Sequence, residues 1–527
     1  MNGLKLKYVI LCLILVVLFA YPFVLLPFGT DQSIFSYIGS IINKGGTPYL
    51  DAWDVKPPLI YYIYSLGLRI FGHSMMGIRC FDLLYFGIAI FAMYHLGTLL
   101  FDRKAGVCAG VILGTLYFFT NNFWACSQAE SFMILPMILS VYFCCCGIKK
   151  NSMLRLLCSG FFLGIVFMTK LTGIVMVIPI GLYIVYKAFY PIENRDARHL
   201  GISLFIVFIG FLLSTGCMVL WFCIRGALSE MYTTLFVYDP AYLSSASELK
   251  TDYVHLSLFG FMRRYLFILI PALLALFVIN DNKKIAGNML VFSWFFSALL
   301  GFFMQRRLYH YHFVPVLAPL SLMGAQGYVD LWSSPFWNQK FFFTKRKSLI
   351  VLVVVMLFIS AVWPHVILTY QFTSMLVKKD GMPELYDQYF QAPGVFSLRT
   401  TINAATYIKE HSVQGDYIFV WGFQPLLYFL AERDAPTRFF FNAPLLASFN
   451  PRLYDWRQEV IAVIQKTPPR YIIVADQDVL TNNLMASTNT DSQSALQGYP
   501  ELTAILRVQY VYEKRIDNLL VYRRIGK

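Results

Sequence analysis

The sequence predicts an α-helical, multi-pass membrane protein carrying a small C-terminal α/β domain. Three observations support this. Hydrophobic residues make up 58% of the 527 residues and charged residues only 14%, with a mean hydropathy of +0.59; a soluble domain carries roughly 25% charge. Apolar runs long enough to cross about 30 Å of hydrocarbon recur up to residue 370. From about Thr373 these runs give way to short strand and helix patterns.

Eleven spans are expected, near 8–28, 79–101, 105–121, 131–148, 155–169, 171–190, 201–222, 265–280, 286–304, 313–331 and 348–370. The first is read as retained, being too long for a cleaved signal and lacking a small-residue cleavage site. The fifth is short, and is either tilted or joined to the sixth as a broken pair. Lys5/Lys7, Arg103/Lys104, Lys149/Lys150/Arg155, Arg195/Arg198, Lys283/Lys284 and Lys340/Lys345/Arg346/Lys347 fall in alternate loops. Such loops stay cytoplasmic. The outward loops are then 29–78, 122–130, 170, 223–264 and 305–312, and the tail is outside. This divides the chain into a membrane domain, 1–370, and an extracytoplasmic domain, 371–527.

The net charge of +14 raises the question of nucleic acid. From Gln371 onward, however, 16 Lys/Arg face 15 Asp/Glu, so the basic excess lies in the hydrophobic part, against anionic lipid. Nucleic acid is excluded as a partner on that ground. All ten cysteines lie between Cys12 and Cys223, leaving none for disulfides in the tail. Cys144–Cys146 sit in an apolar run without His, as small packing residues.

The outward loops hold most of the acids of the membrane part: Asp31, Asp51, Asp54, Glu130, Glu230, Asp239, Glu248 and Asp252. In Asp31–Lys44, Ile34, Ile38, Ile41 and Ile42 share one helical face, which suits a helix lying along the membrane surface. Pro57 and Pro58 open a second such helix, running to about Phe71. In the tail, Tyr417–Trp421, Arg438–Asn442, Tyr471–Ala475, Val508–Tyr512 and Leu519–Tyr522 read as strands. Thr400–His411 and Arg452–Lys466 read as helices, an alternation that implies an α/β domain.

Asp31 starts the first of these surface helices. It is either a cap or a general base for a hydroxyl that is a poor nucleophile at neutral pH. Lys56, just before the second helix, offers a full charge where a helix start already favours phosphate; the alternative is a snorkelling interfacial lysine. Asp51 and Asp54 either pair with Lys56 or face water. Glu130 heads a membrane helix, as a cap or as a second acid. Met304–Phe313 gathers Arg306, Arg307, Tyr309, His310, Tyr311 and His312 at one outward junction, and arginine suits phosphate. His310 and His312, two residues apart, do not converge on a metal from a helix.

Several stretches resemble the dolichyl-phosphate-mannose protein mannosyltransferase superfamily and its bacterial relative, the lipid A aminoarabinose transferase. They are Asp31 after the first span, Gly46-Thr-Pro-Tyr-Leu-Asp51, Lys56-Pro-Pro-Leu59, Phe71-Gly72 with Arg79, Gly164–Lys170, and Tyr309-His-Tyr-His-Phe-Val-Pro315 with Pro319. The resemblance covers the order of spans over roughly residues 1–330, and the Lys-Pro-Pro-Leu context is its most specific piece. It implies a GT-C fold, a polyprenyl-phosphate sugar donor and an active site in the first outer loop. It also implies Asp31 as the base, Lys56 on the carrier phosphate and Glu130 as the second-loop acid. Gln32 departs from the family, where many members have Glu after that Asp; this weakens the case for a protein acceptor or a paired-acid metal site.

The resulting expectation is an inverting transfer of one sugar from a polyprenyl-phosphate carrier to a hydroxyl of a glycolipid, polysaccharide or protein. It would occur at the outer face of a bacterial inner membrane. Asp31 is the expected catalytic residue. Asp51, Asp54, Lys56, Glu130, Lys170, Arg306, Arg307, Tyr309 and His310 are the expected substrate contacts. The sugar, the acceptor and any divalent cation stay open. The rival is a flippase of polyprenyl-linked sugars, which needs charges near mid-membrane; Asp82 is its best candidate but stands near the outer end of the second span. A ligand-binding receptor is a third reading.

Overall fold

The computed structural model describes residue 14 and residues 20–120, 122–190, 197–245, 251–278, 284–333, 344–378, 390–392, 396–478 and 491–526. Most of the first expected span, up to residue 19, falls outside these ranges together with Lys5, Lys7, Arg195, Glu248, Lys283 and Lys340. The chain is mostly helical and divides into two compact units. One comprises Met1–Leu26, Arg79–Leu220 and Leu249–Tyr370; the other comprises Pro27–Ile78, Trp221–Glu248 and Gln371–Lys527.

The first unit is helical. Helices cover Met75–Leu100, Arg103–Thr120, Ala129–Lys149, Met153–Thr169, Ala197–Ile224, Thr251–Val278, Ile285–Met304 and Thr344–Lys378. Two more begin as 3-10 turns: Leu171–Met176 runs into Val177–Phe189, and His310–Val316 into Leu317–Ser333. Among the described residues, five helices are long and apolar enough to cross a membrane: Met75–Leu100, Ala129–Lys149, Leu171–Phe189, Ala197–Ile224 and Ile285–Met304. The short fifth run is half of a broken pair, since a single extended residue, Lys170, separates Thr169 from Leu171.

Lipid is as apolar as leucine, so helices in it are held together by close packing, which small residues permit. A Cβ on Gly160 would stand 1.8 Å from the Val207 carbonyl oxygen, and one on Gly210 2.1 Å from that of Leu157. Helices Met153–Thr169 and Ala197–Ile224 therefore meet backbone to backbone. Cys144–Cys146 are buried within Ala129–Lys149.

In the second unit, helices Thr30–Asn43 and Leu59–Phe71 form where the sequence places them. The expected surface position of the first is corrected. Twelve of its residues, Thr30 and Gln32 to Ile42, are buried. Gly39 packs on the backbone of Tyr64 and Ser65. The Tyr37 ring lies on Tyr428 and Phe440, and its hydroxyl accepts from the Ala435 N–H at 2.8 Å. Protein covers an apolar helix face as well as lipid does, and here protein covers it. Helix Leu59–Phe71, by contrast, exposes Leu66 and Ile70 beside Arg69, the stripe of an interfacial helix.

The tail carries a four-stranded sheet of β1 (Ile418–Trp421), β2 (Tyr471–Ala475), β3 (Tyr510–Ile516) and β4 (Leu519–Arg524), in the order β1-β2-β4-β3. β1 and β2 run parallel; β4 is antiparallel to both its neighbours. The two expected helices are present as Leu398–Glu410 and Leu453–Lys466. The expected strand at Arg438–Asn442 is absent. Its three buried phenylalanines look like an inner strand, but its backbone bonds go to loops: the Arg438 carbonyl accepts from Trp53 N–H, and Asn442 N–H donates to the Gly422 carbonyl. The strand expected from Val508 starts at Tyr510, because helix Pro500–Gln509 takes its first two residues.

Candidate active site

The first-loop residues lie in the second unit. Gly29 is the N-cap of helix Thr30–Asn43 and no side chain caps this end, so Asp31 is not acting as the cap. Its carboxylate sits in the first turn, where the helix dipole favours a negative charge. Asp31 is half-buried, and its Oδ2 is buried without a hydrogen-bond partner.

Asp54 is buried, and its Oδ2 accepts from the Tyr61 hydroxyl at 2.8 Å. Burial lifts its carboxyl above the ordinary value. The Lys56 charge and the Tyr61 bond pull it down, and the Asp31 charge adds to the rise. Asp54 is thus within electrostatic reach of both Lys56 and Asp31. The Lys56 carbonyl accepts from the Tyr49 hydroxyl at 2.7 Å and the Tyr61 hydroxyl at 3.1 Å, which fixes its backbone ahead of helix Leu59–Phe71. Asp51 has a different job. It is exposed, and its Oδ2 accepts from Thr47 N–H at 2.6 Å, closing the turn in which Tyr49 takes φ 71°.

In the membrane unit, Glu130 stands in the first turn of helix Ala129–Lys149, while Ser131 Oγ accepts from the Gln128 N–H at 3.1 Å as the cap. Glu130 is therefore free for another task, and it forms a buried ion pair with Lys170. His312 Nε2 lies 3.8 Å from the same carboxylate oxygen. The Lys170 ammonium is 6.0 Å from the Tyr311 ring centre, and the Tyr309 ring is 5.4 Å from that of His312. His310 turns away to contact Arg264. Arg306 is exposed and Arg307 half-buried. Arg306 (φ 55°) and Leu308 (φ 48°) both take left-handed backbone, a local strain of the kind that collects at functional loops.

The structure brings together Asp31, Asp54 and Lys56 in one group, and Glu130 and Lys170 with Tyr309 in another. It leaves Asp51 in a turn and His310 on Arg264. Sequence reasoning passed over His312 as a neighbour of Glu130. Its signal was the 3-10 turn, whose period of three puts Tyr309 and His312 on one side. Among the described residues no group of three or more His, Cys, Asp or Glu converges to hold a metal ion.

Residues 55–214 match the model of the dolichyl-phosphate-mannose-protein mannosyltransferase family. No curated protein matches the chain by sequence. Solved structures are similar at low identity. ArnT from Cupriavidus metallidurans, bound to undecaprenyl phosphate, aligns with a TM-score of 0.64 at 12% identity, over 100% of this chain and 99% of that one. The archaeal oligosaccharyltransferase AglB from Archaeoglobus fulgidus, in complex with an inhibitory peptide and a dolichol-phosphate, aligns with a TM-score of 0.52 at 12% identity, over 100% of this chain and 75% of that one. The chain accordingly has the GT-C membrane glycosyltransferase fold and resembles the superfamily of the dolichyl-phosphate-mannose protein mannosyltransferases and the lipid A aminoarabinose transferase.

Proposed function

We propose that the chain transfers a single sugar from a polyprenyl-phosphate carrier to an acceptor hydroxyl. The acceptor oxygen attacks the anomeric carbon as the carbon–oxygen bond to the phosphate breaks. The carrier leaves as polyprenyl phosphate, and single displacement inverts the anomeric centre. Asp31 takes the hydroxyl proton. Lys56 stabilises the negative charge gathering on the leaving phosphate. Glu130, Lys170, Tyr309, His310, Arg306 and Arg307 are candidates for further substrate contacts.

The observation that carries this reading is the Asp31 carboxylate, neither a cap nor hydrogen-bonded at its buried oxygen, beside Asp54, whose carboxyl feels both the Asp31 and the Lys56 charges. The polyprenyl and dolichyl phosphates named with the similar structures support the donor class. The direct test incubates purified protein with a radiolabelled polyprenyl-phosphate sugar and membrane acceptors. Labelled acceptor plus free polyprenyl phosphate is the expected product pair; sugar still on the carrier in every condition refutes the reading. Lys56→Ala is expected to raise the donor KM or lower turnover, because removing a charge partner of a buried phosphate costs a few kcal/mol, about 2–5. Unchanged donor kinetics would leave Lys56 a snorkelling side chain.

A flippase is not favoured. Asp82, its best candidate, is fully buried, and its Oδ2 accepts from the Tyr117 hydroxyl at 2.6 Å and from Ser127 Oγ at 2.7 Å. Arg79, also fully buried, donates to the same Ser127 hydroxyl at 2.8 Å. Such a network pins the second loop, a structural task for Asp82.

The alternating basic loops support placing the site at the outer face of a bacterial inner membrane, with the tail outside. A reporter active only outside the cytoplasm, fused after Lys527, is then expected to be active. A fusion active only inside overturns the topology.

A further inference from the structure

Lys56 is one residue in a loop, and a loop lysine binds phosphate well only if its backbone is held. Trp53, three residues earlier, is 1% exposed. Its ring meets Tyr238, Phe439, Phe441 and Trp456 at centre distances of 4.9, 6.0, 6.3 and 5.1 Å. Its indole N–H donates to Thr234 Oγ1 at 3.1 Å. Three of these ring partners belong to the tail, so the loop is plugged into the C-terminal domain by one indole.

Arg438 makes a second connection, from both its backbone and its side chain. Its carbonyl accepts from the Trp53 N–H at 2.9 Å. Its guanidinium donates to the Tyr49 carbonyl at 3.0 Å, to Glu230 at 2.6 Å and to Glu459 at 2.8 Å. Its charge is therefore neutralised where it is buried, which a guanidinium at 6% exposure requires. Tyr49, held in this way, returns its hydroxyl to the Lys56 carbonyl. The turn 49–56 is gripped at its start by Arg438, at its middle by Trp53 and at its end by Tyr49 and Tyr61. Three residues span at most about 11 Å of chain, so Lys56 has little room to move while Trp53 stays seated.

We propose that the C-terminal domain acts as a clamp on the donor-binding loop, with Trp53 and Arg438 as positioning residues that set where the Lys56 ammonium meets the carrier phosphate. The idea rests on the proposed role of Lys56. It gives the tail a task in donor binding, in place of that of a separable acceptor-binding module.

The test uses the full chain in lipid nanodiscs, with hydrogen exchange and donor kinetics read in parallel. Trp53→Ala is expected to speed amide exchange over residues 54–61 while β1 and β2 keep their protection. It should also cut kcat/KM for the donor by up to the order of 10²-fold, the cost of a misplacement of about 1 Å. Trp53→Phe keeps the aromatic plug and should restore most of both. Arg438→Lys loses the forked contact and should fall in between. In a Lys56→Ala background, Trp53→Ala should cost little more, since it acts through that lysine. If Trp53→Ala unfolds the tail, Trp53→Phe and Arg438→Lys carry the same comparison. Unchanged exchange over 54–61 in the variants that fold overturns the clamp. Full additivity with Lys56→Ala shows a merely structural plug and also overturns it. Faster exchange with Lys56→Ala itself silent leaves the clamp standing, and the phosphate role of Lys56 fails instead.

Discussion

Asp31→Asn is expected to reduce turnover by about 10²–10⁴-fold, the usual cost of losing a general base, while the protein stays folded. The first half follows from the proposed role of Asp31, the second from its contacts. The amide keeps the shape of the carboxylate but cannot accept a proton. Asp31 neither caps its helix nor, at its buried oxygen, accepts a hydrogen bond, so the change breaks no identified contact there. The lost interaction with the helix dipole is worth only about 0.3–1 kcal/mol. The unfolding midpoint in detergent should therefore move little, and donor binding should survive. Asp31→Glu should recover part of the activity, since it restores the charge at the wrong reach. Near-normal turnover in purified Asp31→Asn would show that the proton goes elsewhere, and a collapse of stability alongside activity would make Asp31 structural.

Lys170→Met is expected to give the largest loss of stability. It strands the Glu130 carboxylate, 1% exposed, with His312 Nε2 3.8 Å away. Breaking a buried ion pair by removing one member typically costs about 3–5 kcal/mol, whereas replacing both members by neutral groups is often neutral. The double variant Glu130→Gln, Lys170→Met should therefore unfold at a higher temperature than Lys170→Met alone. Its activity separates two roles. As a substrate contact, Glu130 leaves the double variant stable but slow. If activity returns with stability, the pair is only a brace between helix Ala129–Lys149 and the break at Lys170. A single Lys170→Met variant as stable as the parent would mean that His312 or water takes over the charge.

The long apolar helices of the membrane unit were legible because span length is set by bilayer thickness, and apolar runs declare it directly; the short helices Leu228–Tyr232 and Asp239–Ser244, in a stretch read as a loop, were not. Helix Leu59–Phe71 was legible from Pro57–Pro58. The environment of helix Thr30–Asn43 was not. Ile34, Ile38, Ile41 and Ile42 announce an apolar face, but the same face serves lipid and protein alike. Only the fold brings Tyr428 and Phe440, some 400 residues away in sequence, to cover it. Phe439–Phe441 misled for a related reason: three large apolar residues mark burial, and backbone bonding to Trp53 and Gly422 made the segment a loop and not a strand.

Of the candidate site, residue types and chain positions were readable: an acid after the first span, a lysine before a helix start, and an acid at the end of the second loop, heading helix Ala129–Lys149. What the sequence alone determined is therefore the membrane class, the order of helices and the candidates that carry charge where charge is costly. Tertiary structure alone decided their states. It withheld a partner from the buried oxygen of Asp31, spent Asp51 on a turn, matched Glu130 to Lys170, turned His310 to Arg264 and seated Trp53 in the tail. The reason is physical. Composition and periodicity report what a residue needs, whether lipid, water or a counter-charge, and these are local properties. Which group meets that need depends on contacts between residues tens to hundreds of positions apart, which no local pattern encodes.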